Sequence, residues 1–362
     1  MAALRSPAHV RAHSGPKVNG VESASVHGHP ARALWRPASP FAEAAVETLL
    51  LTENVMKIVA GIPSDELELP FTPPFDWVRM LRFFSGRATG GVETVDEDVY
   101  YRTLDIAGDT GLLSVRRDPL RNVLIARIDG EASRHLGTLT PRLSRLFDLH
   151  TQPDAVREGL SQDPWLSRLL DAAPGLRVPG AWSGFELVVR TIVGQQVSVK
   201  AATTIVGRLV ERAGTAAGTP SHPRTPWHFP TPRALAEVNL DRIGMPTKRV
   251  ATLQHFAQVV ADGELDIDHD EPDVETLRKQ LLDLPGIGPW TVEYVAMRAW
   301  RDADAWPATD LVLMQAITRA LPDLIRKSDQ LKHAQGWRPW RAYVAMHMWN
   351  EIADQAGQAR GG

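Results

Sequence analysis

Two glycines in one short turn constrain this chain more than any other feature. Gly286 and Gly288 lie in the segment Leu284-Pro285-Gly286-Ile287-Gly288, where they let the backbone turn tightly and approach another molecule. Helical periodicity flanks the turn, with apolar residues at 277, 281 and 284 before it and at 292, 295, 296 and 299 after it. Pro289 suits the first position of the second helix. The segment therefore predicts a helix, a glycine hairpin and a second helix, with N–H groups that attract an anion.

Composition removes several kinds of site. The 362 residues include no cysteine, which excludes disulfides, thiolate zinc sites, iron–sulfur clusters and cysteine nucleophiles. The net charge of −3 means that any nucleic-acid contact must use a local basic patch. No apolar run has the roughly 18 residues that a membrane span needs. No Walker-type lysine and serine follow the glycines, which argues against a nucleotide-triphosphate loop.

The order of predicted elements gives an α+β chain. Residues 1–66 read as a disordered tail with a short helix near 42–60, although a transit peptide or a weak electrostatic hold on DNA would use the same charges. Residues 67–150 read as a small α+β domain on an antiparallel sheet, with strands at Tyr100–Ala107, Leu112–Arg117 and Val123–Ile128. Residues 151–362 read as helices with short loops, and Ser183 with Glu186 fits a capping box.

Asp310 and the tryptophans are the residues that suggest chemistry. An aspartate at a helix start is most often a cap, but it is also a fixed anion that can stabilise developing positive charge. Trp290 and Tyr294 are four residues apart and share a helix face, and the segment Trp337–Trp349 holds three tryptophans and a tyrosine. Core packing is the default for each aromatic residue taken alone.

Together these segments resemble the helix-hairpin-helix superfamily of DNA glycosylases, and within it the bacterial 3-methyladenine-DNA glycosylase II type. The similarity runs from about Thr72 to Ile352. It rests on the segments PPFDWVRMLRFF, RLFDL, PGLRVPG, GQQVSV, GMPTKR, LPGIGPWTVEYVAMRAW and RPWRAYVAMHMW. The resemblance implies a two-lobed helical fold, with a central lobe at about 184–302 that contains the hairpin region 273–300. Residues 151–183 and 303–362 then form the second lobe.

The resemblance also implies roles for single residues. Asp310 is then the catalytic residue, which stabilises the oxocarbenium-like transition state when an N-glycosidic bond breaks. The hairpin binds a DNA phosphate through Pro285, Gly286, Ile287 and Gly288. Trp290 stands where family members that also cut the backbone have a Schiff-base lysine, and no lysine lies between Lys279 and Lys327. A monofunctional glycosylase is therefore expected.

The same resemblance implies a base-binding cleft made of Phe83, Trp290, Tyr294 and Trp349. Electron-rich rings suit N-alkylated purines such as 3-methyladenine and 7-methylguanine, which carry a positive charge. Leu311 replaces the tyrosine that follows the family's aspartate. Gln196 occupies the position that enters the duplex as a wedge when the base is flipped out, although a plain polar loop would explain it as well.

Partners and cofactors follow from this assignment. The expected partner is double-stranded DNA with alkylated bases, and we expect a cytoplasmic monomer that does not bind a membrane. No cofactor is required, but main-chain carbonyls of Leu282, Leu284 and Gly286 match a monovalent cation site (Na+ or K+) of the family. Two other readings stay open, namely a non-catalytic helix-hairpin-helix protein that binds DNA damage and a bifunctional glycosylase/lyase.

Overall fold

This computed structural model describes residues 64–269 and 273–361 of the chain. These residues form two apolar cores. One core lies between a sheet and the helices near it, and the other lies inside the helical region. The predicted helix near 42–60 and residues 1–63 of the predicted tail fall outside the described residues. The first strand begins at Ser64, so residues 64–66 belong to the sheet.

The sheet is five-stranded and antiparallel, with strand order β1-β5-β4-β3-β2. Its strands are β1 (Ser64–Pro70), β2 (Glu93–Asp96), β3 (Val99–Ile106), β4 (Asp109–Arg117) and β5 (Val123–Gly130). Helix α1 (Trp77–Ser85), a 3-10 turn (Glu131–His135) and α2 (Leu136–Leu146) accompany it. The alternating pattern of the sequence predicts β3, β4 and β5 well. Strand β2 is too short to show a period. Strand β1 pairs with β5, which is far from it in the sequence.

The remaining described chain is helical, as the sequence predicts. Its helices are α3 (Pro153–Leu160), α4 (Pro164–Ala172), α5 (Gly184–Gly194), α6 (Val199–Ala213), α7 (Pro232–Glu237), α8 (Thr247–Ala261), α9 (Val274–Asp283), α10 (Pro289–Arg298), α11 (Leu311–Ala320), α12 (Lys327–His333) and α13 (Arg341–Gly361), with a 3-10 turn at Ala334–Trp337. The combination of an antiparallel-sheet domain and a helical region confirms the predicted fold class.

A buried ionic network fixes the sheet against α5. Arg102 of β3 is 2% exposed and contacts the carboxylates of Glu93 and Glu186. Arg190 of α5 also donates to Glu93, at 2.9 Å. Ser183 Oγ accepts the N–H of Glu186, as a capping box requires, but the Glu186 carboxylate binds Arg102 and does not reach back to the cap. Only one of the two hydrogen bonds of the predicted capping box therefore forms, because the Glu186 carboxylate binds Arg102 instead.

Candidate active site

The hairpin between α9 and α10 gives its two glycines different tasks. Gly286 has φ +87°, and a Cβ added there would clash with Thr252, lying 3.0 Å from Cγ2 and closer still to Oγ1. Gly288 has φ −111°, and an added Cβ would meet nothing within 4 Å. Ile287 is 6% exposed and anchors the hairpin in the helical core. The turn therefore requires Gly286, whereas Gly288 leaves the surface open to another molecule.

The N-terminus of α10 is available to an anion. The first intrahelical bond is Val292 N–H to Gly288 O, at 3.2 Å, so the N–H groups of Trp290 and Thr291 precede it. Within the described chain, no side chain caps this end of the helix. The positive end of the helix dipole and these donors together favour a phosphate.

The loop between α5 and α6 is attached to the hairpin. Gln195 Nε2 donates to the carbonyl oxygen of Gly286 at 3.0 Å. The next residue, Gln196, is exposed and has φ +58°, a conformation that costs a non-glycine residue about 1–2 kcal/mol. Strain of this kind is concentrated at functional sites. The geometry projects Gln196 from the surface beside the hairpin.

Asp310 is both the cap of α11 and a wall of a cleft. Its Oδ1 accepts the N–H groups of Val312 and Leu313 at 2.9 and 3.0 Å. Its Oδ2 accepts the indole N–H of Trp290 at 2.9 Å. The indole N–H of Trp349 lies 3.5 Å from Oδ1, which is long for a hydrogen bond. Three well-formed donors thus fix the orientation of this carboxylate at the N-terminus of α11.

The cleft beside Asp310 is largely aromatic. Its volume is about 430 Å³, and Trp290, Tyr294, Asp310 and Trp349 line it. The rings of Trp290 and Tyr294 stack with centroids 5.1 Å apart and an interplanar angle of 9°, and Trp349 stands edge-on to Tyr294 at 6.0 Å. Four of the predicted site residues therefore meet in one cleft.

Phe83 lies in a side cavity next to this cleft. The side cavity has a volume of about 160 Å³ and shares Arg87, Trp349 and Ala353 with the cleft. The guanidinium carbons of Arg87 and Arg298 lie 4.1 and 4.7 Å from the centroid of the Phe83 ring. Since two cations of the protein already lie over this ring, Phe83 is less available to a ligand than the other three aromatic residues.

Arg298 is a central residue that sequence reasoning missed. It is 4% exposed and donates to Pro179 O, Gly180 O and the Tyr294 hydroxyl at 2.9, 2.7 and 3.0 Å. Burial acts to raise the pKa of the Tyr294 hydroxyl, but nearby guanidiniums, chiefly that of Arg298, outweigh it and leave the pKa below its ordinary value. The sequence does contain a signal for Arg298, because a residue four positions after Tyr294 lies on the same helix face.

A second large cavity does not have the properties of an active site. It has a volume of about 460 Å³ and is lined by residues that include Trp182, Trp300 and Tyr343, none of which line the cleft. Its buried carboxylate Asp148 accepts hydrogen bonds from Val178 N–H and from Tyr343, and it is paired with Arg301. That carboxylate is occupied in holding the fold, whereas one edge of Asp310 borders open space in the cleft.

Metal ligands and membrane-spanning helices are the remaining candidate features. Within residues 64–269 and 273–361, no three His, Cys, Asp or Glu side chains are grouped so that they could hold a metal ion. None of the helices described in those ranges is both long enough and apolar enough to cross a membrane.

Comparison with known proteins gives a consistent family. The AlkA N-terminal domain model matches residues 66–183, and the HhH-GPD superfamily base excision DNA repair protein model matches residues 189–341. The chain is 35% identical to Escherichia coli DNA-3-methyladenine glycosylase 2 over 285 residues, which are 78% of this chain and 95% of that protein.

Two further relatives agree with that result. The probable bifunctional transcriptional activator/DNA repair enzyme AlkA of Mycobacterium tuberculosis is 36% identical over 298 residues, 81% of this chain. The match spans 58% of that protein's length. The 3-methyladenine DNA-glycosylase of Archaeoglobus fulgidus has the same fold, with a TM-score of 0.66 at 19% identity over 78% of this chain and 96% of that one. The chain therefore belongs to the HhH-GPD superfamily of base excision DNA repair proteins, in the branch that carries an AlkA-type N-terminal domain.

Proposed function

We propose that this protein is a monofunctional DNA glycosylase of base excision repair. It hydrolyses the N-glycosidic bond of flipped-out alkylated bases in duplex DNA, with 3-methyladenine, 7-methylguanine and related lesions as substrates. The observation that carries the proposal is the Asp310 carboxylate, which donors hold at the wall of an aromatic cleft. The similarity to E. coli DNA-3-methyladenine glycosylase 2 supports the choice of substrate.

The chemistry requires little acid catalysis. In an N-alkylated purine the base already carries a positive charge, so the C1′–N bond breaks with its electron pair leaving on the base. Positive charge then develops on the sugar, and the fixed Asp310 anion stabilises it. The oxygen of a water molecule bonds to C1′, its proton is released to solvent, and an abasic sugar remains. Preorganised electrostatic stabilisation by one group typically contributes about 10²–10³-fold in rate.

The neighbouring loops supply the grip that base flipping requires. The hairpin residues Pro285, Gly286, Ile287 and Gly288 hold one phosphate, and Gln196 fills the space that the flipped nucleotide leaves. The lesion stacks against the aromatic wall that Trp290, Tyr294 and Trp349 form. A ring whose face meets the lesion adds stacking and, for a cationic base, a cation–π attraction of about 0.5–2 kcal/mol.

The decisive experiment replaces Asp310 by asparagine. Asp310→Asn keeps the shape and one cap acceptor, but it removes the charge and turns an amide N–H toward the indole N–H of Trp290. Release of 3-methyladenine from alkylated duplex DNA should fall by about 10²–10³-fold, while the dissociation constant for DNA stays within about threefold, since Asp310 is not a phosphate ligand. Asp323→Asn, at an exposed carboxylate, is the matched control. Undiminished release by Asp310→Asn would refute the mechanism, and absence of release by the unmodified protein would favour a non-catalytic damage binder.

The absence of lyase chemistry is a separate part of the proposal. The residues that line the described cleft include no lysine, and none lies between Lys279 and Lys327 in the sequence, so no amine is at hand to form an imine with C1′. We expect no covalent protein–DNA adduct after borohydride treatment during turnover. A trapped adduct would identify a bifunctional enzyme instead.

The monovalent cation is the last part of the proposal. Carbonyl oxygens of Leu282, Leu284 and Gly286 are hard donors of the right kind for Na+ or K+. Leu284 O accepts Ile287 N–H at 3.2 Å, and Gly286 O accepts Gln195, but each carbonyl keeps a second lone pair. A bound ion would hold the hairpin in shape. Thermal stability should then be lower in tetramethylammonium chloride than in KCl or NaCl at equal ionic strength, and equal stability in all three salts would remove the cation from the proposal.

A further inference from the structure

The side cavity next to the cleft is rich in guanidinium groups. Arg79, Arg82, Arg87 and Arg177 line it, and its apolar walls include Phe83 and Met346. Trp349 lines both the cleft and the side cavity and also approaches Asp310. A base that stacks on Trp349 in front of Asp310 therefore has this cavity at its edge.

The charges of these arginines are only partly compensated. Arg79 and Arg82 are both paired with Asp354, and Arg79 is also paired with Asp76. Arg177 is 2% exposed and donates from its Nη atoms to main-chain carbonyls. Among the described residues, neither Arg177 nor Arg87 forms an ion pair with a carboxylate. This excess of guanidinium charge around one cavity favours an anion there.

The charge of the cleft points in the same direction. Arg87, Arg190 and Arg298 line the described cleft, and Asp310 is its one carboxylate, although Arg190 is also paired with Glu93. These guanidiniums attract an anionic substituent on the lesion. A lesion whose substituent carries a carboxylate is a zwitterion with no net charge, and its anionic end would lie in the arginine-lined cavity.

We infer that the side cavity is a subsite for a carboxylate on the N-alkyl substituent of the damaged purine, as in 7-carboxymethylguanine. This inference rests on the proposed glycosylase function and adds a substrate class to it. The volume of about 160 Å³ accommodates a short carboxyalkyl group. Charge-assisted hydrogen bonds between guanidinium and carboxylate are roughly twice as strong as neutral ones, so the charged substituent is preferred over a neutral one of equal size.

The test compares two lesions that differ only in that charge. Duplexes would carry either 7-carboxymethylguanine or its amide, 7-(carbamoylmethyl)guanine, and kcat/KM for base release would be measured for each. We expect the unmodified protein to prefer the carboxylate by about tenfold, as one charge-assisted hydrogen bond implies. The ratio of the two rates within one protein cancels any general loss of folding or activity.

Substitutions then locate the preference. In Arg79→Gln and Arg82→Gln the ratio of kcat/KM for the two lesions should fall to about one, because the glutamine side chain has no positive charge. Arg79→Lys keeps the charge and should retain most of the ratio. Arg116→Gln removes an exposed arginine of β4, away from the lining of the side cavity, and should leave the ratio unchanged. A ratio of one in the unmodified protein, or an unchanged ratio in both glutamine variants, would overturn the subsite.

A binding measurement separates this inference from the proposed function. The Asp310→Asn protein would be titrated with the free bases 7-carboxymethylguanine and 7-(carbamoylmethyl)guanine, and binding would be followed by the change in intrinsic tryptophan fluorescence, to which Trp290 and Trp349 contribute. Tighter binding of the carboxylate supports the subsite even if the unmodified protein releases no base from DNA, a result that would refute the hydrolytic function alone. Equal binding refutes the subsite even if both lesions are excised.

Discussion

The two hairpin glycines give the sharpest prediction, because the structure separates what each one does. At Gly286, alanine must adopt φ +87°, which costs about 1–2 kcal/mol, and its Cβ must also displace Thr252, which costs about 1–2 kcal/mol more. We therefore expect Gly286→Ala to lower the free energy of unfolding by about 2–4 kcal/mol. In the Thr252→Ala background most of the steric cost should disappear, because only the Cβ of residue 252, at 3.2 Å, stays close, and the conformational cost should remain.

Gly288→Ala should behave in the opposite way. Its φ of −111° suits alanine and the new Cβ meets no atom of the protein within 4 Å, so stability should be unchanged or higher by about 0.5 kcal/mol. A methyl group in that open space obstructs a phosphate that approaches the N–H groups of Trp290 and Thr291. Losing such a charge-assisted bond costs about 1.5–3 kcal/mol, or roughly a tenfold or greater rise in the dissociation constant.

The assay combines chemical denaturation with fluorescence anisotropy on a duplex that contains an abasic-site analogue. Titrations at several salt concentrations should show that Gly288→Ala lowers the slope of log K against log salt by about one phosphate contact. Gly137→Ala is the matched control, since its Cβ also meets nothing within 4 Å and it lies in α2. If Gly288→Ala binds DNA as tightly as the unmodified protein and with the same salt slope, DNA does not approach the hairpin there.

Two further predictions concern the wedge position and acid stability. Gln196→Gly should raise the free energy of unfolding by about 1 kcal/mol, because glycine adopts φ +58° without strain; it should also slow lesion release from fully paired duplex more than from a mismatched site, and equal slowing on both would exclude a wedge. His347 is 4% exposed, and burial lowers its pKa to about 4. The unfolded chain takes up this proton near pH 6.5 and the folded chain only near pH 4. The contribution of His347 to the free energy of unfolding is therefore fully present above pH 6.5 and falls by roughly 3 kcal/mol toward pH 4. In denaturation curves at several pH values, His347→Leu should reduce that slope, and an unchanged slope would assign the acid sensitivity to other groups.

Local sequence signals predict much of this fold. Helices such as α6 and α10 have an apolar stripe and a cap or proline at their start, and β3 to β5 show strand periodicity. β2 has four residues and the shortest helices have six to eight, too few for a period to be visible. The partner of Glu186 could not be predicted, because it is an arginine 84 positions away that becomes a neighbour only when the sheet packs on α5.

The site shows the same division between local and distant information. Trp290 and Tyr294 are brought together by helical spacing alone, and Asp310 caps its helix as its position predicts. Their meeting with Trp349 depends on how α13 packs, which only the resemblance to a family could anticipate. The side cavity around Phe83 forms where segments that are far apart in sequence meet. The same is true of the contacts between Arg298 and main-chain carbonyls. Nothing local to any one of them indicates that arginines surround the aromatic residues.

The hydrogen bond from Gln195 to Gly286 O has a consequence for how such a protein would search DNA. It joins the hairpin, which is proposed to bind a phosphate, to the loop that carries Gln196, and it couples the motions of these two segments. Under the proposed function, this coupling favours one spacing between the bound phosphate and the nucleotide beside Gln196. Inspection of the next nucleotide would then require the hairpin to release its phosphate and advance along the strand.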